Sequence, residues 1–185
     1  IGSHIALTLL ERGSNLIVLD SFINSKLDSL GRVHRILEEK GLSLTKSIKV
    51  IRGDIRDKNL LRKIFFDHKL VKKPIETVIH CAGLKSVRES VINPKRYWDI
   101  NFKGSKILFN VMNEFDCNKI VFSSSASVYG SSCDGIFSEE SEIKPSNPYG
   151  ETKFAIENLL SDITKKKNND WKILNLRYFN PVGAH

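Results

Sequence analysis

Tyr149 and Lys153 stand four residues apart, the spacing that puts both side chains on one face of a helix. A phenol and an ammonium placed in this way are set up for proton transfer. Free phenol titrates near pH ~10, so a tyrosine that works as a base at neutral pH needs a downward shift of about three units, worth about 4 kcal/mol. A lysine ~4 Å away supplies about that much at an effective dielectric of ~20. Three consecutive serines, Ser123, Ser124 and Ser125, close an apolar run just upstream, and any of them has a hydroxyl to add to the pair. The same Tyr-x-x-x-Lys spacing occurs on solvated helix faces, so the surrounding elements have to decide between the two.

Those elements alternate. Short apolar runs at residues 15–20, 48–52, 77–80, 120–123 and 171–177 have the length and composition of buried parallel strands. Helical patterns lie between them: one entered directly from Gly2, then 29–39, 58–69, 97–113 and the stretch that Pro148 opens. Strand and helix in alternation call for right-handed crossovers and a doubly wound parallel sheet of Rossmann-like α/β class, here as a single domain over residues 1–185. Such sheets bind ligands beyond the carboxyl ends of their strands. Asp20, Asp54, the turn at 83–85, Ser123 to Ser125 and Asn180 all fall at or just after predicted strand ends, which gathers them along one edge.

Composition narrows the rest. With 185 residues, 41% hydrophobic and 27% charged, the chain can bury a sizeable core and is not disordered as a whole. No apolar run approaches membrane-spanning length, and residues 1–12 lack a signal-peptide pattern, so the expected compartment is the cytosol. Cys81, Cys117 and Cys133 are odd in number and without metal-ligand spacing, which argues for reduced thiols and against a zinc site. The net charge of +8 fits nucleic acid, a membrane surface or an anionic small substrate equally well. Aromatics are not interleaved with the basic residues, no nucleic-acid module is visible, and Lys165, Lys166 and Lys167 read as a solvated helix terminus.

Taken together, the motifs Ile-Gly-Ser-His (1–4), Gly-Asp-Ile-Arg-Asp (53–57), His-Cys-Ala-Gly-Leu-Lys-Ser-Val (80–87), Ser-Ser-Ser-Ala-Ser-Val-Tyr-Gly (123–130), Pro-Tyr-Gly-Glu-Thr-Lys (148–153) and Arg-Tyr-Phe-Asn-Pro-Val-Gly-Ala-His (177–185) cover nearly the whole chain. In these stretches the chain resembles the extended short-chain dehydrogenase/reductase family, and within it the nucleotide-sugar 4-epimerase branch. The resemblance implies NAD as cofactor. Gly2 matches the last glycine of a pyrophosphate-binding turn, Asp20 the acceptor of the adenosine ribose hydroxyls, and Asp54 and Ile55 the adenine contacts. A carboxylate at Asp20 would repel a 2′-phosphate and favour NAD over NADP. Ala82, Gly83 and Lys85 match the turn beneath the cofactor, Asn101 a residue on the nicotinamide side, and Phe179 a residue facing the nicotinamide. Ser125 matches the catalytic serine, with Ser124 as its rival. Tyr149 matches the base and Lys153 its cofactor-binding partner; Lys85, Ser125, Tyr149 and Asn180 match contacts to the nucleotide-sugar.

The implied activity is epimerisation at C4 of a UDP-hexose, UDP-glucose or UDP-galactose, through a transient 4-keto sugar. A 4,6-dehydratase of the same fold is the nearest alternative, but it needs a carboxylate after the catalytic serine, where this chain has Ala126. A catalytically silent nucleotide-binding protein would keep the glycines and Asp20 while losing Tyr149 or Lys153. The resemblance also implies a homodimer through the long helices, and no nucleic-acid or membrane partner. Relative to the family pattern, the chain starts past the first strand and stops before most of the substrate-binding region. On that expectation the sheet is incomplete at both ends, the strands at 15–20 and 77–80 lack a shared neighbour, and residues 1–185 alone form an inactive fragment.

Overall fold

The computed structural model describes residues 1–42, 48–131, 135–165 and 170–183. Cys133, Lys166, Lys167, Ala184 and His185 lie outside the described residues. The chain divides into two compact units, Ile1–Ile55 and Arg56–His185.

In the first unit, α1 (Gly2–Glu11) leads to β1 (Leu16–Asp20), α2 (Asp28–Glu39) and β2 (Ile48–Arg52). β1 and β2 are parallel, running in register from Leu16 opposite Ile48 to Asp20 opposite Arg52. One apolar cluster accounts for the arrangement: Leu7 and Leu10 of α1 and Val33 and Leu37 of α2 are buried, with Leu16, Ile36 and Ile48 packed against them. Helix positions three to four residues apart supply these contacts, as an amphipathic stripe requires. β1 is half-buried along its whole length rather than fully buried, and β2 is its one partner strand among the described residues.

The second unit holds α3 (Lys58–Leu70), β3 (Val78–His80), α4 (Val87–Ile92), α5 (Pro94–Tyr97), a π-helical segment (Trp98–Lys103), α6 (Gly104–Glu114), β4 (Lys119–Ser125), a 3₁₀ turn (Ala126–Val128), α7 (Pro148–Thr164) and β5 (Lys172–Tyr178). Its strands pair in the order β3-β4-β5, all parallel. β1 and β3 each have a partner strand on one edge only among the described residues. The parallel, helix-covered, Rossmann-like fold is therefore the one the strand-helix alternation predicts. Phe122 and Ile120 of β4, Phe109 and Met112 of α6, and Ile156 and Leu160 of α7 are among the most buried side chains of this unit.

Two local devices set the start of α7. Asn147 caps α7 by accepting a hydrogen bond from the Gly150 backbone N–H at 2.9 Å, and Pro148 takes the first position, where its missing N–H costs nothing. Gly150 is required by proximity: a Cβ there would sit 2.5 Å from the Ser127 carbonyl oxygen, so the first turn of α7 lies directly on the 3₁₀ turn that follows β4.

The helix expected over 97–113 starts earlier and is interrupted, since α5 begins at Pro94 and passes through six π-helical residues before α6. A wide turn of this kind inserts a residue into the i→i−4 ladder and is common near functional sites. Here the inserted stretch carries Asn101. No described helix is long and apolar enough to cross a membrane.

Candidate active site

Ser125, Tyr149 and Lys153 come together at the end of β4. The Ser125 hydroxyl lies close enough to the Tyr149 phenol to favour its ionised form. Ser125 Oγ lies 3.1 Å from Ser127 Oγ and accepts from the Ser127 backbone N–H at 3.2 Å, so the 3₁₀ turn fixes its rotamer. Ser124 faces another partner: its hydroxyl donates to Glu157 Oε1 at 2.5 Å, inside the protein. Successive side chains of a strand point to opposite faces, and here that alternation separates the two candidate serines. Ser125 is the one at the phenol.

Lys153 is only 5% exposed. Its Nζ donates to the Ser123 carbonyl at 2.7 Å, lies 4.8 Å from the centre of the Phe122 ring and 5.9 Å from that of Tyr149. Burial lowers the Lys153 ammonium from 10.5 to about 8, against the opposing influence of Cys81 and Glu157. The phenol goes the other way from the expectation. Burial raises Tyr149 above its ordinary value, and the lowering contribution comes from the Ser125 hydrogen bond. The physical reason is that the ammonium is turned onto a backbone carbonyl, while desolvation penalises the phenolate.

Behind the pair stands His80, 2% exposed, with Nε2 2.8 Å from Ser105 Oγ. The Ser105 hydroxyl donates to the Asn101 carbonyl at 2.5 Å, so His80 Nε2 carries the proton in this chain of bonds. Burial first, and Lys153 second, lower His80 to about 3. It is a neutral structural histidine. Cys81, next in sequence and half-buried, has its thiol pushed up by burial with Lys153 opposing.

Asn101 is placed close to the site but spends its amide on the protein. Its Oδ1 accepts from Leu84 N–H at 2.8 Å, and its Nδ2 donates to Leu84 O at 3.0 Å and to Thr152 Oγ1 at 3.3 Å. It therefore ties the turn after β3 to α7, one residue before Lys153. Gly83 in that turn has φ +154°, and a Cβ there would come within 3.1 Å of Asn101 Oδ1, so the close fit of amide and turn excludes a side chain. Ala82 is half-buried and Lys85 exposed on the same turn.

Past β5, Phe179 is 58% exposed, with its ring centre 6.4 Å from Tyr129 and 6.1 Å from Phe137, and Asn180 is exposed beside it. In the first unit, Gly2 opens α1, whose first turn has no capping side chain, and a Cβ on Gly2 would meet nothing within 4 Å. Asp20 ends β1, where its Oδ1 accepts from Phe22 N–H at 2.7 Å and Ser25 Oγ at 2.8 Å. Asp54 is half-buried, whereas the Ile55 side chain is in the core. An uncapped helix N-terminus and a fixed carboxylate at a strand end are donor and acceptor types that suit a pyrophosphate and a ribose diol.

Glu157 was not singled out by sequence reasoning. Its carboxylate is 6% exposed and takes Ser124 on one side and Arg177 of β5 on the other, with Nη2 at 2.7 Å and Nε at 3.1 and 3.3 Å. Arg177 Nη1 then donates to the Tyr129 hydroxyl at 2.8 Å. The available signal was position: Tyr149, Lys153 and Glu157 recur every four residues, on one helix face.

Residues 1–185 match the model of the NAD dependent epimerase/dehydratase family. Over 185 residues the chain is 42% identical to the bifunctional UDP-glucose 4-epimerase and UDP-xylose 4-epimerase 1 of Pisum sativum, covering 100% of this chain and 50% of that protein. It is 44% identical to UDP-glucose 4-epimerase 2 of Arabidopsis thaliana at the same coverage. Among solved structures, a UDP-glucose-4-epimerase from Stenotrophomonas maltophila with bound NAD and formylated UDP-arabinopyranose superposes with a TM-score of 0.87 at 36% identity, over 100% of this chain and 51% of that one. The Bifidobacterium longum UDP-glucose 4-epimerase in complex with NAD+ and UDP gives 0.86 at 38% identity, over 99% and 51%. This chain thus spans about half the length of the curated relatives it matches.

Proposed function

The chain belongs to the NAD dependent epimerase/dehydratase family, and from that premise we propose that the protein carrying it epimerises C4 of a UDP-hexose, interconverting UDP-glucose and UDP-galactose. The observation that carries the reading is the convergence of Ser125 and Tyr149 at the end of β4, with the buried Lys153 one helical turn away. Tyr149, as phenolate, takes the proton of the sugar 4-hydroxyl and becomes the phenol, Ser125 orients that hydroxyl, and the Lys153 ammonium favours the phenolate before the transfer. NAD, when bound, supplies the reversible oxidation of C4. In this reading Gly2, Asp20, Asp54 and Ile55 hold the adenosine half, with Ile55 acting through its backbone. Ala82, Gly83, Lys85, Lys153, Tyr149 and Phe179 hold the nicotinamide half, and Asn101 acts by holding their turn in place. Lys85 and Asn180 reach the nucleotide-sugar. Residues 1–185 make the NAD-binding domain, with the substrate-binding region mostly beyond them, in a cytosolic homodimer formed through the long helices.

The test is incubation of the protein with UDP-galactose, without added cofactor, while UDP-glucose is followed. UDP-glucose should accumulate to equilibrium. A stable 4-keto-6-deoxy sugar would identify a dehydratase instead, and no conversion at all would refute the reading.

A further inference from the structure

We propose that Glu157 is a positioning residue of this site, whose carboxylate locks the end of β4 and the end of β5 to the helix that carries Tyr149 and Lys153. The inference rests on the reaction proposed above and assigns a task to a residue that does not touch the reacting atoms. Three geometric facts support it. Glu157 lies one turn after Lys153 and two after Tyr149, on their face of α7. Its carboxylate holds Ser124, and the alternation of the strand puts the next side chain, Ser125, on the opposite face. It also holds Arg177, which carries the Tyr129 hydroxyl and lies 4.9 Å from that ring, and Tyr129 in turn stacks with Phe137 and Phe179. One buried carboxylate thus connects the serine side of the site to the Phe179 side.

Glu157 also bears on the charge of Lys153. From β3 and the residue after it, the groups facing the ammonium are His80, held neutral, and Cys81, whose thiol is raised and so stays protonated near neutrality. From α7 itself they are Tyr149 and Glu157. Arg177 of β5 is paired with Glu157. In the neighbouring helices Arg96 pairs with Glu89, and Asp99 with Arg56 and Lys103. Glu157 is then the carboxylate that opposes desolvation of the lysine.

A purely structural ion pair would make different demands. Removing one partner of a buried pair is destabilising, while replacing both by apolar groups of similar size is often neutral. The experiment therefore uses three variants of the protein: Glu157→Gln, Glu157→Asp and the double variant Glu157→Met/Arg177→Met. Two quantities are read, steady-state turnover and the titration midpoint of Lys153 by NMR of ¹³Cε-labelled lysine, with the resonance assigned through Lys153→Arg. For Glu157→Gln we expect kcat to fall by about 10- to 100-fold with KM within about threefold, and the Lys153 midpoint to drop by about 0.5–1 pH unit. Glu157→Asp should restore the midpoint in part. The double variant, which removes both charges of the pair together, should remain slow with a lowered midpoint. Native turnover and a native midpoint in the double variant would overturn the proposal, as would an unmoved midpoint in Glu157→Gln. Failure of the proposed reaction is separable. A native protein that does not convert UDP-galactose removes that reaction, while the Lys153 midpoint in the same samples still decides the role of Glu157.

Discussion

Replacing Lys153 by methionine should abolish turnover and, at the same time, change how stability depends on pH. The ammonium is 5% exposed and is lowered from 10.5 to about 8 by burial. That is about 2.5 pH units, so keeping the group charged in the folded state at neutral pH costs about 3 kcal/mol. The sign follows from proton counting. Below pH 8 both folded and unfolded lysine are charged and the penalty is present in full; between about 8 and 10.5 the unfolded chain binds the extra proton, so stability of the native protein rises with pH. Methionine has a similar volume and no charge. It removes the penalty but also loses the bond to the Ser123 carbonyl, and a hydrogen bond of a charged group is worth about 1.5–3 kcal/mol. At pH 7 the two effects nearly cancel, leaving the variant between equal and about 1.5 kcal/mol more stable. By pH 10.5 the native protein should have gained about 3 kcal/mol relative to the variant. Urea unfolding of both proteins at pH 7, 9 and 10.5 measures that difference, in which the titration of other groups cancels. A difference that stays constant across this range would mean that the Lys153 ammonium is not depressed, and the account of the site's electrostatics would fall.

Tyr149→Phe should lower kcat by about 10²- to 10⁴-fold with NAD affinity nearly unchanged; an undiminished rate would remove Tyr149 from the role of base. Asn101→Leu keeps the volume but strips the Leu84 N–H and C=O of their partners. A cost of about 2–4 kcal/mol in unfolding free energy is expected, and a loss below ~1 kcal/mol would show that solvent reaches the turn. In cofactor-stripped protein, NAD should bind more tightly than NADP, and Asp20→Ser should narrow the gap by admitting the 2′-phosphate. Equal native affinities would mean that Asp20 does not meet the ribose.

Much of the fold was legible because its signals are local. The five strands fall within one or two residues of the apolar runs, since a strand in a parallel sheet must be apolar and short. The opening of α7 is written in Pro148 alone, and Asn147 before it supplies the cap. α4 was missed because six residues carry too little periodicity, although Ser86, which caps it by accepting from Glu89 N–H, was in plain view. The π-helical interruption has no local signature at all. It exists because Asn101 must reach Leu84 across the unit, and that contact is tertiary. Candidate site residues at strand ends could be picked out by motif, while Glu157 was invisible to the same reasoning because its partners, Ser124 and Arg177, come from two separate strands.

The charges gathered at this site do not balance, and that imbalance bears on the chemistry. Lys153, Glu157 and Arg177 come to one net positive charge, because Glu157 is shared between its ion pair with Arg177 and its position one turn from Lys153. A buried excess charge is costly unless something the site does depends on it. Formation of the Tyr149 phenolate would bring the set to neutrality. With the ammonium turned onto the Ser123 carbonyl and 5.9 Å from the centre of the Tyr149 ring, burial still leaves the phenol above its ordinary value. In the proposed reaction the protein's own groups leave the phenol above its ordinary value, so the shift that makes it a base would have to come from a positive charge arriving next to it, which would confine proton abstraction to the loaded state.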